Sequence, residues 1–201
     1  MQLITTINKK IEDGFLPVNA LLSKFQFNEK PQSYLTDPRY LPLYYYLGQE
    51  SSCKNLLEIG FGSGLVSGCF LLGSKTVEKF LAFQPVVNDE YYSLRIGKHN
   101  IANCYRQKSC IHFGDFAEAS FIENLTSTKW DVAIVNVNSA YDQYLFYLRS
   151  IWPNISDNGL LILDQINSHK SAEQSCLDFA KVNHREVFRF KSKYSAALII
   201  K

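Results

Sequence analysis

The chain has 201 residues, enough for one domain with a sizeable hydrophobic core and too few for two full domains. Hydrophobic residues make up 46% and charged residues 20%, a balance that excludes a disordered, collagen-like or low-complexity chain. The formal net charge of +2 is too close to neutral to indicate a nucleic-acid backbone or an anionic membrane as the main partner.

Residues 1–38 are predicted to form a helical extension. Three isoleucines recur at helical spacing near the N-terminus, and a second apolar stretch covers Leu16–Phe27. A proline-containing connector is expected over residues 28–38. The core of the single domain is then expected to span residues 39–201, and it opens with a helix over Tyr40–Leu47.

From Asn55 onward, short apolar runs alternate with helical patterns. The predicted strands are Asn55–Ile59, Phe80–Phe83, Cys110–Phe113, Asp131–Val137, Gly159–Leu163, Glu186–Phe190 and Ala196–Ile200. The predicted helices are Leu65–Leu72, Asp89–Ile101, Ala117–Leu125, Tyr141–Ile151 and Ala172–Val182. Strands that alternate with helices need crossover connections, so we expect an α/β fold with a doubly wound, mostly parallel sheet between two helical layers.

A glycine-rich loop follows the first predicted strand. Glu58 lies near the end of that strand, and Gly60, Gly62 and Gly64 alternate in the turn to the next helix. Glycines allow a tight turn and a close approach of the backbone to a ligand, and the helix N-terminus offers free N–H groups. An ordinary strand-to-helix turn explains the same pattern, so the loop alone does not decide the function.

Polar residues recur at the ends of the next four predicted strands, at Gln84, Gly114-Asp115, Asn136 and Asp164. Ligands of parallel sheets bind beyond the carboxyl ends of the strands, near the point where the strand order reverses. Nucleotide-binding folds often place an acid at the Gln84 position to hold ribose hydroxyls. Because an amide lacks the charge of a carboxylate, we expect weak cofactor affinity or an altered ligand preference here.

From about Tyr40 to Lys201, this series of motifs resembles the class I S-adenosylmethionine-dependent methyltransferases. The resemblance implies a Rossmann-like sheet with a C-terminal antiparallel hairpin, and S-adenosylmethionine as the cofactor. The cofactor-binding residues that it implies are Glu58, Gly60, Phe61, Gly62, Gly64, Gln84, Asp115, Phe116 and Asn136. Asp115 would hold the adenine amino group, although a helix-capping role also explains it, and Phe116 packs either on adenine or in the core.

A narrower resemblance is to small O-methyltransferases of the catechol or caffeoyl-CoA type, carried by Asp131–Tyr141 and Asn158–Gln165. In those relatives the Asn136, Asp164 and Gln165 positions ligate a divalent metal. Hard cations usually take one or two carboxylates, and only Asp164 is charged here, so we predict no tight catalytic metal. Asp164 is the predicted catalytic residue, either as a base or as a hydrogen-bond partner of an acceptor hydroxyl or amine.

Two further groups of residues have alternative explanations. Tyr40, Tyr44, Tyr45 and Tyr46 are expected to pack in the core, with a substrate wall as the alternative. The segment 168–201 holds seven basic and three acidic residues, which are expected to solvate a strand edge. A nucleic-acid surface is the alternative for that segment.

The five cysteines are scattered without metal-ligand spacing, so we expect reduced, buried thiols. No apolar run approaches the ~20 residues needed to cross a bilayer, and the N-terminus does not resemble a signal peptide. The sequence therefore predicts a cytoplasmic protein with no membrane partner.

Three functions follow in order of support. The first is a metal-independent methyltransferase for a hydroxyl or amine of a small-molecule substrate. The second is a non-catalytic binding or regulatory protein with the methyltransferase fold, and the third is a nucleic-acid methyltransferase. The oligomeric state stays open, although similar proteins of this size are often homodimers.

Overall fold

The computed structural model describes residues 2–14, 16–27, 37, 39–85, 91–105, 109–137, 139–164, 166, 170–190 and 197–201. The helices within these residues are α1 (Gln2–Asp13), α2 (Val18–Leu22), α3 (Tyr40–Glu50), α4 (Leu65–Gly73), α5 (Tyr91–Cys104), α6 (Ala119–Thr126), α7 (Tyr141–Ile151) and α8 (Lys170–Val182). The strands are β1 (Asn55–Ile59), β2 (Lys79–Pro85), β3 (Ser109–Gly114), β4 (Trp130–Val135), β5 (Ile155–Leu163), β6 (Phe188–Arg189) and β7 (Ala197–Ile200).

The strands form one seven-stranded sheet in the order β3-β2-β1-β4-β5-β7-β6. The first five strands in this order are parallel, while β7 runs antiparallel to both β5 and β6. Residues 191–196, between β6 and β7, lie outside the described residues. The strand order reverses between β1 and β4, where doubly wound sheets bind their ligands. The predicted α/β, mostly parallel sheet is confirmed.

Two hydrophobic cores lie on opposite faces of the sheet. Along β1, Leu56 belongs to the first core and its neighbour Leu57 to the second, because successive side chains of a strand point to opposite faces. The first core is covered by α1 to α5, and the second by α6, α7 and α8. The helical N-terminal segment therefore packs on the same face as the helix that follows the glycine loop.

Most predicted elements are observed within a few residues of their expected bounds, and the largest difference is in β5. This strand begins at Ile155 rather than at Gly159, with a register shift opposite Trp130 and Val132 of β4. Its polar residues 156–158 resemble a turn in sequence, and Asn158 has a positive φ of 65°. The predicted helix start at Asp89 and most of the predicted 28–38 connector lie outside the described residues.

The cysteine prediction is partly wrong. All five cysteines are free, but Cys104 and Cys110 are only partly buried, at the end of α5 and on the edge strand β3. The other three cysteines are buried as expected. In the part of the chain that the structure describes, no helix is long and apolar enough to cross a membrane.

Helices α3 and α4 meet backbone to backbone because each has a glycine at the contact. A Cβ placed on Gly48 of α3 would lie 2.0 Å from the Phe70 carbonyl oxygen. A Cβ on Gly73 of α4 would lie 2.0 Å from the Tyr45 carbonyl oxygen. Neither backbone atom can move away without shifting a helix, so this pair of glycines sets how closely α3 approaches α4.

We predict that Gly73→Ala lowers the free energy of unfolding by about 1–3 kcal/mol, measured by urea denaturation, because the added methyl group overpacks the contact. Gly73 is the last residue of α4 and does not have a left-handed φ, so alanine adds no backbone strain there and a net loss identifies the steric effect. Ser120→Ala, on the exposed face of α6, is the control and should change stability by less than about 0.5 kcal/mol. An unchanged or increased stability for Gly73→Ala would contradict the close approach of the helices.

Candidate functional site

Backbone hydrogen bonds extend the sheet beyond the ends of its central strands. The Gly60 N–H donates to Phe83 O at 2.8 Å, the Asn136 N–H to Ile59 O at 2.7 Å, and the Asp164 N–H to Val135 O at 2.9 Å. These bonds bring the carboxyl ends of β2, β1, β4 and β5 into one row. The polar residues that follow these strands in the sequence therefore lie along one edge of the sheet.

The glycine loop after β1 adopts a conformation that L side chains rarely tolerate. Its φ angles are 91° at Gly60, 49° at Gly62 and 68° at Gly64, all in the left-handed region. A Cβ on Gly60 would lie 1.9 Å from Asn136 O, whereas a Cβ on Gly62 would meet no atom of the described residues within 4 Å. The loop is therefore packed against β4 at its start and open at Gly62, just before the N-terminus of α4.

Glu58, on β1 below this loop, is fully buried. Its Oε2 accepts a short hydrogen bond from the Ser67 hydroxyl on α4. Among the described residues, Oε1 has no hydrogen-bond partner of standard geometry. Burial raises the pKa of Glu58 from 4.5 to about 8; the Ser67 hydrogen bond opposes this rise, and the charge of Asp164 adds to it.

Asp164 follows β5 and is 1% exposed. Tyr44 donates its hydroxyl to Oδ1 at 2.6 Å, and Tyr40 donates a short hydrogen bond to Oδ2. The two tyrosines are four residues apart, so they project from the same face of α3. Burial, followed by the charge of Asp164, raises the pKa of Tyr44 well above its usual value, which keeps its hydroxyl protonated as a donor. Core packing of these tyrosines is confirmed, and they also bind a carboxylate.

A divalent cation would meet a carboxylate that is already hydrogen-bonded. Each oxygen of Asp164 accepts one hydrogen bond from a tyrosine, so a cation could use only the lone pairs that these bonds leave. No three His, Cys, Asp or Glu side chains come together as a metal site in the described ranges. Gln165, the third metal position implied by the resemblance, lies outside those ranges.

Gln84, at the end of β2, holds the glycine loop. Its Oε1 accepts the Gly62 N–H at 2.7 Å, and its Nε2 donates to the Pro85 carbonyl oxygen at 3.1 Å. An amide can accept and donate at once, which a carboxylate at this position cannot do. A ribose contact by Gln84 stays a prediction, and the side chain has a structural role in addition.

The two phenylalanines proposed for the cofactor site are buried. Phe61 is 2% exposed, and its ring packs towards Phe80 in the first core and against Gly64 of the loop, where a Cβ would lie 2.9 Å from the ring. Phe116 packs against Phe83 and Phe121 in the second core, with ring centroids 5.3 and 4.9 Å away. A cofactor contact by either residue stays a prediction.

Asp115 lies on the exposed surface after β3. Its Oδ1 accepts the Ala117 N–H at 2.9 Å, in the turn that leads into α6. This is the local hydrogen bond that Asp commonly makes in turns, and the adenine contact of Asp115 stays a prediction.

Two basic residues of the C-terminal segment have partners within the chain. Arg189 forms an ion pair with Glu173 of α8. Lys201 donates to the carbonyl oxygens of Trp152 and Ile155, both at 3.0 Å. These contacts favour a structural role for this part of the segment over a nucleic-acid surface.

No protein-family model matches the sequence, and no curated protein matches it. The fold of the chain, however, matches solved structures of other proteins. A protein from Staphylococcus aureus assigned as a caffeoyl-CoA O-methyltransferase matches with a TM-score of 0.65 and 18% identity, over 94% of each chain. The O-methyltransferase from Bacillus cereus in complex with SAH has a TM-score of 0.63 and 14% identity, over 98% of this chain and 97% of that chain.

The O-methyltransferase TomG from Streptomyces achromogenes, in complex with SAM, has a TM-score of 0.63 and 12% identity, over 90% of this chain and 88% of that chain. Likeness at such low identity shows the fold. The chain therefore has the fold of the class I S-adenosylmethionine-dependent O-methyltransferases, as the sequence motifs predicted.

We predict that the raised pKa of Glu58 makes the protein less stable as the pH rises. Between about pH 4.5 and pH 8 the unfolded state releases a proton that folded Glu58 retains. The free energy of unfolding therefore falls across this window, by at most about 1.4 kcal/mol per pH unit. Glu58→Gln should lose this slope in urea denaturation series run from about pH 5 to about pH 8.

Glu78→Gln is the matched control, because Glu78 is a solvent-exposed carboxylate in a surface ion pair with Lys54. It should keep the wild-type slope. If Glu58→Gln and the wild-type protein lose stability in parallel as the pH rises, burial of Glu58 does not raise its pKa.

Proposed function

We propose that this protein is an S-adenosylmethionine-dependent methyltransferase that acts on a hydroxyl or amine of a small molecule without a catalytic metal. The observation that carries this proposal is the open glycine loop at Gly62, at the N-terminus of α4 and at the reversal point of the strand order. Such loops bring backbone N–H groups and a helix N-terminus close to a ligand. The similar Bacillus cereus and Streptomyces achromogenes structures hold SAH and SAM, respectively.

The residues at this edge fit a ligand that is cationic at one end. Oε1 of Glu58 is buried beside the loop without a hydrogen-bond partner of standard geometry among the described residues, and it becomes an acceptor when the carboxyl group ionises. A positive group near it would favour the ionised carboxylate and oppose the effect of burial on its pKa. The backbone of residues 60–64 would hold the other polar parts, with Asn136 beside it and Asp115 at the exposed end. When bound, S-adenosylmethionine supplies an electrophilic methyl group.

The chain's contribution to methyl transfer is mainly positioning. Transfer is an in-line displacement, and a base is needed only where the acceptor must lose a proton. Asp164 is buried and each of its oxygens accepts one tyrosine hydrogen bond, so a substrate proton could reach it only at the remaining lone pairs. A neutral amine needs no such step before it attacks the methyl group.

We predict that the wild-type protein binds S-adenosylhomocysteine in a calorimetric titration and that Gly62→Ala binds it at least about tenfold more weakly. The added methyl group would project into the open space above the loop. Gly14→Ala is the matched control, because Gly14 also has a left-handed φ, of 64°, but lies after α1, away from the loop. It carries the same backbone strain and should keep the wild-type affinity. Absence of binding at millimolar concentration would refute the proposed function.

We also predict that affinity for S-adenosylhomocysteine is the same in magnesium as in a chelator, because hydrogen bonds from two tyrosines occupy both oxygens of Asp164. A calorimetric titration with Mn²⁺ alone should show no stoichiometric site. If the wild-type protein does bind Mn²⁺, the same titration of Asp164→Asn shows whether Asp164 is a ligand. Stoichiometric Mn²⁺ binding that disappears in this variant would contradict metal independence.

One observation favours a second candidate, a non-catalytic binding protein with the same fold. The predicted catalytic group, Asp164, is engaged with Tyr40 and Tyr44 rather than free. Binding of the cofactor without methyl transfer to any hydroxyl or amine of a broad acceptor panel would support this candidate. Transfer to even one acceptor would exclude it.

A further inference from the structure

Asn100 joins three parts of the chain that are distant in sequence. It lies on α5 and is fully buried. Its Oδ1 accepts the Gln26 N–H at 2.7 Å, and its Nδ2 donates to Gln26 O at 3.1 Å and to Ser63 O at 3.0 Å. Gln26 belongs to the N-terminal segment 16–27, and Ser63 belongs to the glycine loop. The Asn100 side chain therefore hydrogen-bonds both the N-terminal segment and the glycine loop to α5.

The orientation of this amide is determined by its partners. Oδ1 faces an N–H donor, and Nδ2 faces two carbonyl acceptors, so rotating the amide by half a turn would lose all three bonds. Neither a carboxylate nor a methyl group can replace it, because neither can donate to a carbonyl oxygen.

Close packing reinforces the same contact on both sides. A Cβ on Gly97, one helical turn before Asn100, would lie 2.8 Å from the Gly62 carbonyl oxygen, so α5 lies directly against the loop. On the other side, Phe25 is 7% exposed and covers Gly68 of α4, where a Cβ would lie 2.4 Å from its ring. Phe25, the residue before Gln26, thus packs against α4, the helix that follows the glycine loop.

We propose that Asn100 is a positioning residue for the glycine loop and that the N-terminal segment 16–27 is part of the loop's support. Without the Asn100 amide, the Gln26 N–H, the Gln26 carbonyl and the Ser63 carbonyl lose this partner, and the loop loses its Asn100 hydrogen bond to α5. A loop that samples more conformations binds its ligand more weakly, because binding must then restrict that motion. This inference rests on the proposed function for its ligand, but its effect on the loop can be measured without one.

The test compares Asn100→Ala and Asn100→Asp with two control variants in the full chain. Asn103→Ala removes an exposed amide from the same helix, where Asn103 hydrogen-bonds to His99. Ile7→Ala removes a fully buried side chain from α1, outside the segment 16–27 and the loop, and lowers the overall stability of the protein. Each variant is analysed by amide hydrogen exchange and by calorimetric titration with S-adenosylhomocysteine, at a temperature at which all are folded.

Both Asn100 variants should exchange the Gly62 and Gly64 amides at least about tenfold faster than the wild-type protein, and bind S-adenosylhomocysteine at least about tenfold more weakly. Asn103→Ala should match the wild-type protein in both measurements. Ile7→Ala should lower the melting temperature but leave the loop amides and the affinity unchanged.

Wild-type exchange at the loop amides in Asn100→Ala overturns the proposal, and so does wild-type affinity in that variant. An equal loss of affinity in Ile7→Ala also overturns it, since general destabilisation would then explain the effect. If the wild-type protein binds no S-adenosylhomocysteine, the proposed function fails, and the exchange rates alone decide whether Asn100 positions the loop.

Discussion

Two carboxyl groups, Glu58 and Asp164, are buried on the same face of the sheet at the carboxyl ends of β1 and β5, and the surrounding structure supplies their hydrogen bonds. A buried carboxylate is costly unless it is hydrogen-bonded. Helix α4 brings Ser67 to Glu58, and α3 brings Tyr40 and Tyr44 to Asp164. These two helices can serve neighbouring carboxyl groups because Gly48 and Gly73 let their backbones touch. Oε1 of Glu58 then stays without a hydrogen-bond partner of standard geometry among the described residues, beside the candidate cofactor site.

Much of the fold could be predicted from the sequence, because parallel strands and amphipathic helices have distinct patterns of apolar residues. Strands such as β1 and β4 are continuous β-branched or leucine-rich runs, buried on both faces, and their positions were predicted closely. The start of β5 could not be predicted, since Ser156, Asp157 and Asn158 are typical turn residues. Their strand conformation depends on pairing with β4, which is a tertiary contact.

The candidate site was predictable only in part. The glycine loop and the polar residues after each strand have a local signal, and the backbone bonds between strand ends bring them together. No sequence pattern identifies Tyr40 and Tyr44 as the hydrogen-bond partners of Asp164. Their spacing of four residues predicts only that both hydroxyls lie on one face of a helix. Asn100 could not be found from the sequence, because its partners lie 74 and 37 residues away. The sequence predicts a weaker ribose contact at Gln84, and the structure adds that the Gln84 side chain accepts the Gly62 N–H and so supports the loop.

We propose that the glycine loop binds the cofactor and that tyrosines, rather than a metal ion, bind the oxygens of Asp164. A crystal structure of the protein grown with S-adenosylhomocysteine and Mn²⁺ tests both halves at once, since manganese is located by its anomalous scattering. We expect S-adenosylhomocysteine against residues 60–64, with Tyr40 and Tyr44 still bound to Asp164 and no manganese peak there. Manganese on Asp164 with the tyrosines displaced, or a glycine loop without ligand, would contradict this account.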